Sequence, residues 1–214
     1  MSKPTKKVVP PKAKPVPSCL WDREGIAEQV DDYWRGSADE RAHRKRLAKL
    51  VAEYAKPGDQ IVEVGCGTGL VYEALRELEL HHGYTGIDCS RPMLDIASNR
   101  YHDGLFRQGY AESLDYSSGW FDVGLAFEVF GHVADFRSHL AELLRVSSRV
   151  AVFTVWLTAA DVIVPGTDHY EHTYDMVIAT INSGLAGRRA TITLHDMGNS
   201  VEAFVIEKEK YGTD

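Results

Sequence analysis

The stretch IVEVGCGTGL, residues 61–70, limits what this chain can become more than any other. A short apolar run of strand composition ends in a loop with glycine at 65, 67 and 69, and a helical pattern begins at once. Glycine tolerates left-handed backbone and lets main-chain amides approach a ligand, and a following helix aims its free N–H groups at the same place. The spacing then separates ligand classes. A dinucleotide fingerprint needs glycine at the first, third and sixth positions, but the sixth here is Leu70 and the third glycine comes one residue early at Gly69. A P-loop would continue into Gly-Lys-Ser/Thr, and none follows. The loop is therefore not built around phosphate.

The flanking pattern predicts the architecture. Strands are expected at 60–64, 84–88, 105–108, 121–127 and 149–155, where apolar and β-branched residues cluster between turn signals. Helices are expected at 70–80, stopped by Gly83, at 91–99 with Ser90 as cap, and at 136–146. A helix over 174–185 and two strands over 190–195 and 201–208 follow. The loop joining those strands is too short for a parallel crossover, so they must pair antiparallel. The expected fold is an α/β, Rossmann-like, seven-stranded sheet with one antiparallel strand, helices on both faces and no internal repeat.

Upstream, Ile26, Val30, Tyr33 and Trp34 share one helical face that Gly36 ends. Ser37 with Glu40 three residues on forms a capping box for a second helix carrying Leu47, Leu50, Val51 and Tyr54. Residues 1–17 mix lysine and proline without an apolar stretch and read as a disordered tail. The expected division is a tail over 1–17, a helical lid over 18–56 and a ligand-binding core over 57–214.

Charge and cysteine content narrow the partners. The chain has 31 acidic residues against 24 lysines and arginines, and five of those cations lie in the tail, leaving 19 against 31, or −12, for the rest. Such a body repels phosphate backbones, which speaks against nucleic acid. Three scattered cysteines, Cys19, Cys66 and Cys89, match neither a disulfide framework nor a zinc site and fit a reducing cytoplasm, the expected location. No apolar run nears the roughly 18 residues a spanning helix requires, so no membrane role is expected.

EVGCGTG (63–69) resembles the first motif of the class I S-adenosylmethionine-dependent methyltransferases. GID then places Asp88 at the end of the second strand, and GYAESL (109–114) follows the third. FDVGLAFEVFGHV (121–133) resembles the family's fourth motif, and the similarity runs over about 60–208. The resemblance implies strand order 3-2-1-4-5-7-6 and S-adenosylmethionine as cofactor. It implies that Asp88 accepts hydrogen bonds from the ribose hydroxyls, that Ala111 and Glu112 contact the adenine, and that Gly65 and Gly67 make room for the methionine part. Glu63 would orient the turn or hold the ligand's amino group. Cys66, Cys89, Met93, Phe127 and Tyr33 complete the implied contacts; Tyr33 and Trp34 either cover the donor site or pack in the core, and Cys66 reads as a small buried filler.

A sulfonium donor is already activated, so the protein must mainly align the reactants and exclude water, and a base is needed only for an acceptor that holds its proton. His132, His169 and His172 are the candidate bases. His169 and His172 also have metal-ligand spacing, but with no third ligand evident no metal is expected. No Asn/Asp-Pro-Pro-Tyr follows the fourth strand, where FEVF stands instead, which speaks against methylation of flipped bases. The expected activity is methyl transfer to an oxygen or nitrogen of a small molecule by a monomer or homodimer. The alternatives are methylation of a protein or RNA partner recruited by the lysine tail, and a non-catalytic scaffold that binds the cofactor.

Overall fold

The computed structural model describes residues 20–159, 162–163, 169–198 and 200–209; the tail expected over 1–17 lies outside them. A 3-10 turn, Leu20–Asp22, leads to helices α1 (Ile26–Gly36) and α2 (Ala38–Tyr54). The capping box forms as the sequence predicts, with the Glu40 amide donating to Ser37 Oγ at 3.2 Å. Strands β1 (Ile61–Val64), β2 (Tyr84–Asp88), β3 (Leu105–Gln108), β4 (Phe121–Ala126) and β5 (Ser147–Thr158) alternate with helices α3 (Leu70–Glu77), α4 (Arg91–Arg100) and α5 (Arg137–Val146). Two short strands, β6 (Val162–Ile163) and β7 (Tyr170–Thr173), precede α6 (Tyr174–Leu185), β8 (Ala190–Gly198) and β9 (Val201–Lys208).

The sheet runs β3-β2-β1-β4-β5-β9-β8, with β9 antiparallel to both neighbours and the other adjoining pairs parallel. This is the expected order once β6 and β7 are set aside. Those two strands were not expected: β5 outruns its pairing with β9, and its last residues, Leu157 and Thr158, pair with His172 and Thr173 of β7. β6 pairs antiparallel to β7.

Both faces of the sheet are covered. On one side Leu47, Leu50 and Val51 of α2 pack with Tyr72 and Leu75 of α3 against Ile61, Val123 and Val152. On the other, Leu140 and Leu143 of α5 and Ile181 of α6 pack with Phe121, Phe153 and Phe204. Helix α2 thus contributes Leu47, Leu50 and Val51 to the core. The buried strands β1, β2 and β4 end together, which brings Val64, Asp88 and Ala126 to one edge of the sheet. Their outgoing loops meet there, beside the reversal of strand order between β1 and β4, where open α/β sheets hold ligands.

Candidate functional site

Gly65, Gly67 and Gly69 all adopt left-handed backbone, with φ of 72°, 51° and 83°. A Cβ at 65 would come within 2.3 Å of Val129 Cγ2, and one at 69 within 2.9 Å of the Tyr101 ring. The amides of Gly65 and Cys66 donate to the Ile87 carbonyl at 2.7 and 3.1 Å, lashing the loop to β2. Asp88 completes the tie: Oδ2 accepts from the Gly67 amide and Oδ1 from the Ser90 amide, each at 2.8 Å. Cys66 fills the gap beneath Gly86 and is buried, and burial drives its thiol well above the usual range, so it is no nucleophile.

Glu63 is 2 % exposed. Burial pushes its carboxyl up to about 8, although the Tyr84 hydroxyl, which donates to Oε2, and the Arg44 charge pull the other way. The carboxyl is therefore mostly protonated at neutral pH, and a cation placed beside it would draw the proton off.

All eleven residues named as cofactor contacts, from Tyr33 to Phe127, line a single cleft of about 650 Å³. That volume lies in the range typical of small-molecule sites. His132 and His169 line it as well. His172 does not: it is buried, with Nε2 3.1 Å from the Phe130 carbonyl and its ring against Phe136, so it supports the turn after β4 rather than facing a ligand. No group of three or more His, Cys, Asp or Glu is placed to hold a metal ion among the described residues.

Sequence reasoning missed Arg44. Its guanidinium is buried in the wall of the cleft, 5.4 Å above the Trp34 ring and 5.0 Å from that of Phe127. It binds Glu40 one helical turn back and Glu128 Oε2 at 2.8 Å. Glu128 itself has φ 54°, a strained conformation for a side-chain-bearing residue, and its carboxyl is pushed up by burial. The Glu40 to Arg44 spacing was visible as a helical pair, but nothing local marks it as buried or ties it to a residue 84 positions away. Trp21 and Trp156 were missed for the same reason. Both line the cleft, one from the 3-10 turn before α1 and the other from β5.

Residues 62–153 match a family model described as a methyltransferase domain. The chain is similar to the demethylmenaquinone methyltransferase of Thermotoga maritima, 35% identical over 132 residues, covering 61% of this chain and 56% of that protein. It is also similar to the ubiquinone biosynthesis O-methyltransferase of Coxiella burnetii, 28% identical over 127 residues, 53% of each. The chain thus spans little more than half the length of these curated relatives. Among solved structures, magnesium protoporphyrin IX methyltransferase from Synechocystis with bound SAH superimposes with a TM-score of 0.64 at 16% identity, over 88% of this chain and 95% of that one.

Proposed function

The chain carries a class I S-adenosylmethionine-dependent methyltransferase domain, and we propose from that premise that it transfers the methyl group to an oxygen or nitrogen of a small molecule. The observation that carries the reading is the loop at 65–69, whose close backbone approach and ties to Asp88 form a cradle that side chains would fill. When bound, the cofactor supplies a methyl group on a positively charged sulfur. The protein's part is binding and orientation. Gly65 and Gly67 would give the methionine part room beside the main chain, Glu63 would meet its ammonium, and Asp88 would offer the ribose hydroxyls the lone pairs left beyond the two amides it already accepts. Ala111, Glu112, Met93 and Cys89 stand where the adenine would lie, all within the same cleft. Trp34 and Phe127 exclude water from the transfer.

A small acceptor is favoured by the modest cleft, by the acidic body and by the small-molecule acceptors named in the relatives' descriptions. No helix among the described residues is long and apolar enough to cross a membrane. The decisive experiment is calorimetric titration of the purified chain with S-adenosylmethionine and S-adenosylhomocysteine. Saturable binding of both is expected; failure of both to bind would remove the reading.

A further inference from the structure

Four rings from four separate segments form one wall of the cleft. Trp21 meets His132 edge to face with centroids 5.3 Å apart, His132 and His169 stand 6.4 Å apart, and His169 meets Trp156 at 4.5 Å. The indole of Trp156 is seated on bare backbone, since a Cβ at Gly131 would lie 2.3 Å from it. The wall is largely hydrocarbon, with each ring set edge to face against the next and imidazole nitrogens as its proton acceptors. Among the described residues the cleft's carboxylates are engaged elsewhere: Glu40 and Glu128 with Arg44, Glu63 with Tyr84, Asp88 with loop amides, and Glu112 3.6 Å from His139.

An aromatic wall suits either a cation or a flat neutral ring. A protonated amine has no lone pair to offer a methyl group and would stand beside the donor's positive sulfur. A flat ring stacks without charge repulsion, and a hydroxyl on it finds an imidazole for its proton. His169 is the better placed of the two histidines, because it lies between His132 and Trp156 and no hydrogen bond occupies its ring nitrogens among the described residues. Resting on the donor site described above, we propose that the acceptor is a neutral, flat hydroxyaromatic molecule that lies against Trp21 and Trp156, and that His169 takes its hydroxyl proton. In the transfer the acceptor oxygen forms a bond to the methyl carbon and the carbon–sulfur bond breaks. Its electron pair stays on sulfur, which becomes a neutral thioether, and the proton passes from the oxygen to the imidazole and on to solvent.

The test uses the full chain saturated with S-adenosylhomocysteine and titrated with 2-naphthol or with cyclohexylamine. We expect saturable binding of 2-naphthol only, weakened about tenfold or more by Trp156→Ala, with S-adenosylhomocysteine affinity unchanged. Trp21→Ala, in the 3-10 turn before α1, probes the same wall if the first variant folds poorly. In turnover, His169→Ala should lower kcat for 2-naphthol by about 10²- to 10⁴-fold with its binding retained. It should cost far less with 4-nitrophenol, already ionised at the assay pH. Loss of S-adenosylhomocysteine binding by the wild type would defeat the donor site itself. With that binding intact, failure of 2-naphthol to bind, or equal binding of cyclohexylamine, defeats this proposal, and equal loss with both phenols removes His169 as the base.

Discussion

Asp88 holds an amide with each oxygen, so its replacement acts on the loop as well as on the ligand. Asp88→Ala should weaken S-adenosylhomocysteine binding by about 1.5 to 3 kcal/mol, the range for hydrogen bonds to a charged group, with a lowered melting temperature as two amides lose their acceptor. Unchanged affinity in calorimetry would place the ribose elsewhere. The glycines sort by geometry: Gly65→Ala forces a Cβ into Val129, whereas at Gly67 the nearest atom is the Trp34 ring at 3.4 Å and the left-handed backbone is the main cost. Glu63 makes a pH prediction whose sign follows from its raised carboxyl. Below about 8 the empty site is protonated, and a bound ammonium favours the carboxylate, so binding releases a proton. Affinity should therefore rise with pH up to about 8 and level off above it. The same shift makes the empty protein lose stability as pH climbs from the ordinary 4.5 through about 8, because the unfolded chain ionises first. Titrations in buffers of different ionisation heat would reveal the proton, and Glu63→Gln should abolish both its release and the slope.

At the scale of elements, α1 brings Val30, Tyr33 and Trp34 over the cleft and is fastened by Asp31. Both terminal nitrogens of Arg100 reach that buried carboxylate, at 2.8 and 2.7 Å, and Arg35 adds a bond to it and another to Glu73 at 3.2 Å. Burial alone would raise the Asp31 carboxyl, yet its bonds to Arg100 and the nearby guanidinium charges of Arg100 and Arg35 hold it below the usual range. Because both arginines keep about a third of their side chains exposed, Asp31→Asn should cost only about 1 to 3 kcal/mol. The loss should be local: hydrogen exchange should quicken in α1 while β1 amides keep their protection, and even loss across the sheet would refute a latch. These elements were legible wherever the signal was local. Ser37, Ser90 and Thr173 announce helix starts, and each accepts the amide three residues on. The end of α3 was misread because its stop carries no glycine. Glu79 takes the left-handed position at φ 58°, and the Leu80 and Glu79 amides close back onto Leu75 and Arg76. The sequence points instead to Gly83, further on. The β6–β7 pair and the Arg44–Glu128 bond depend on contacts across the fold, so no window of sequence displays them.

Over the whole molecule, the donor cradle draws on residues from α1 to the turn after β4, so a ligand there adds contacts among segments far apart in the chain. Binding to the folded state alone stabilises it by mass action, about 2.7 kcal/mol at a ligand concentration 100 times the dissociation constant. For a chain of this size each kcal/mol moves the melting temperature by about 2 to 4 °C, so saturation with S-adenosylhomocysteine should raise it by roughly 5 to 11 °C. Gly65→Ala, whose Cβ would collide with Val129 in the cradle, should remove most of that rise whatever its own melting temperature. The increment, not the absolute value, is the test, since it separates loss of the site from loss of the fold. A rise that survives in Gly65→Ala would mean that the ligand stabilises the chain from somewhere other than this loop. A wild type that gains nothing at saturation would mean that the cleft does not hold the donor.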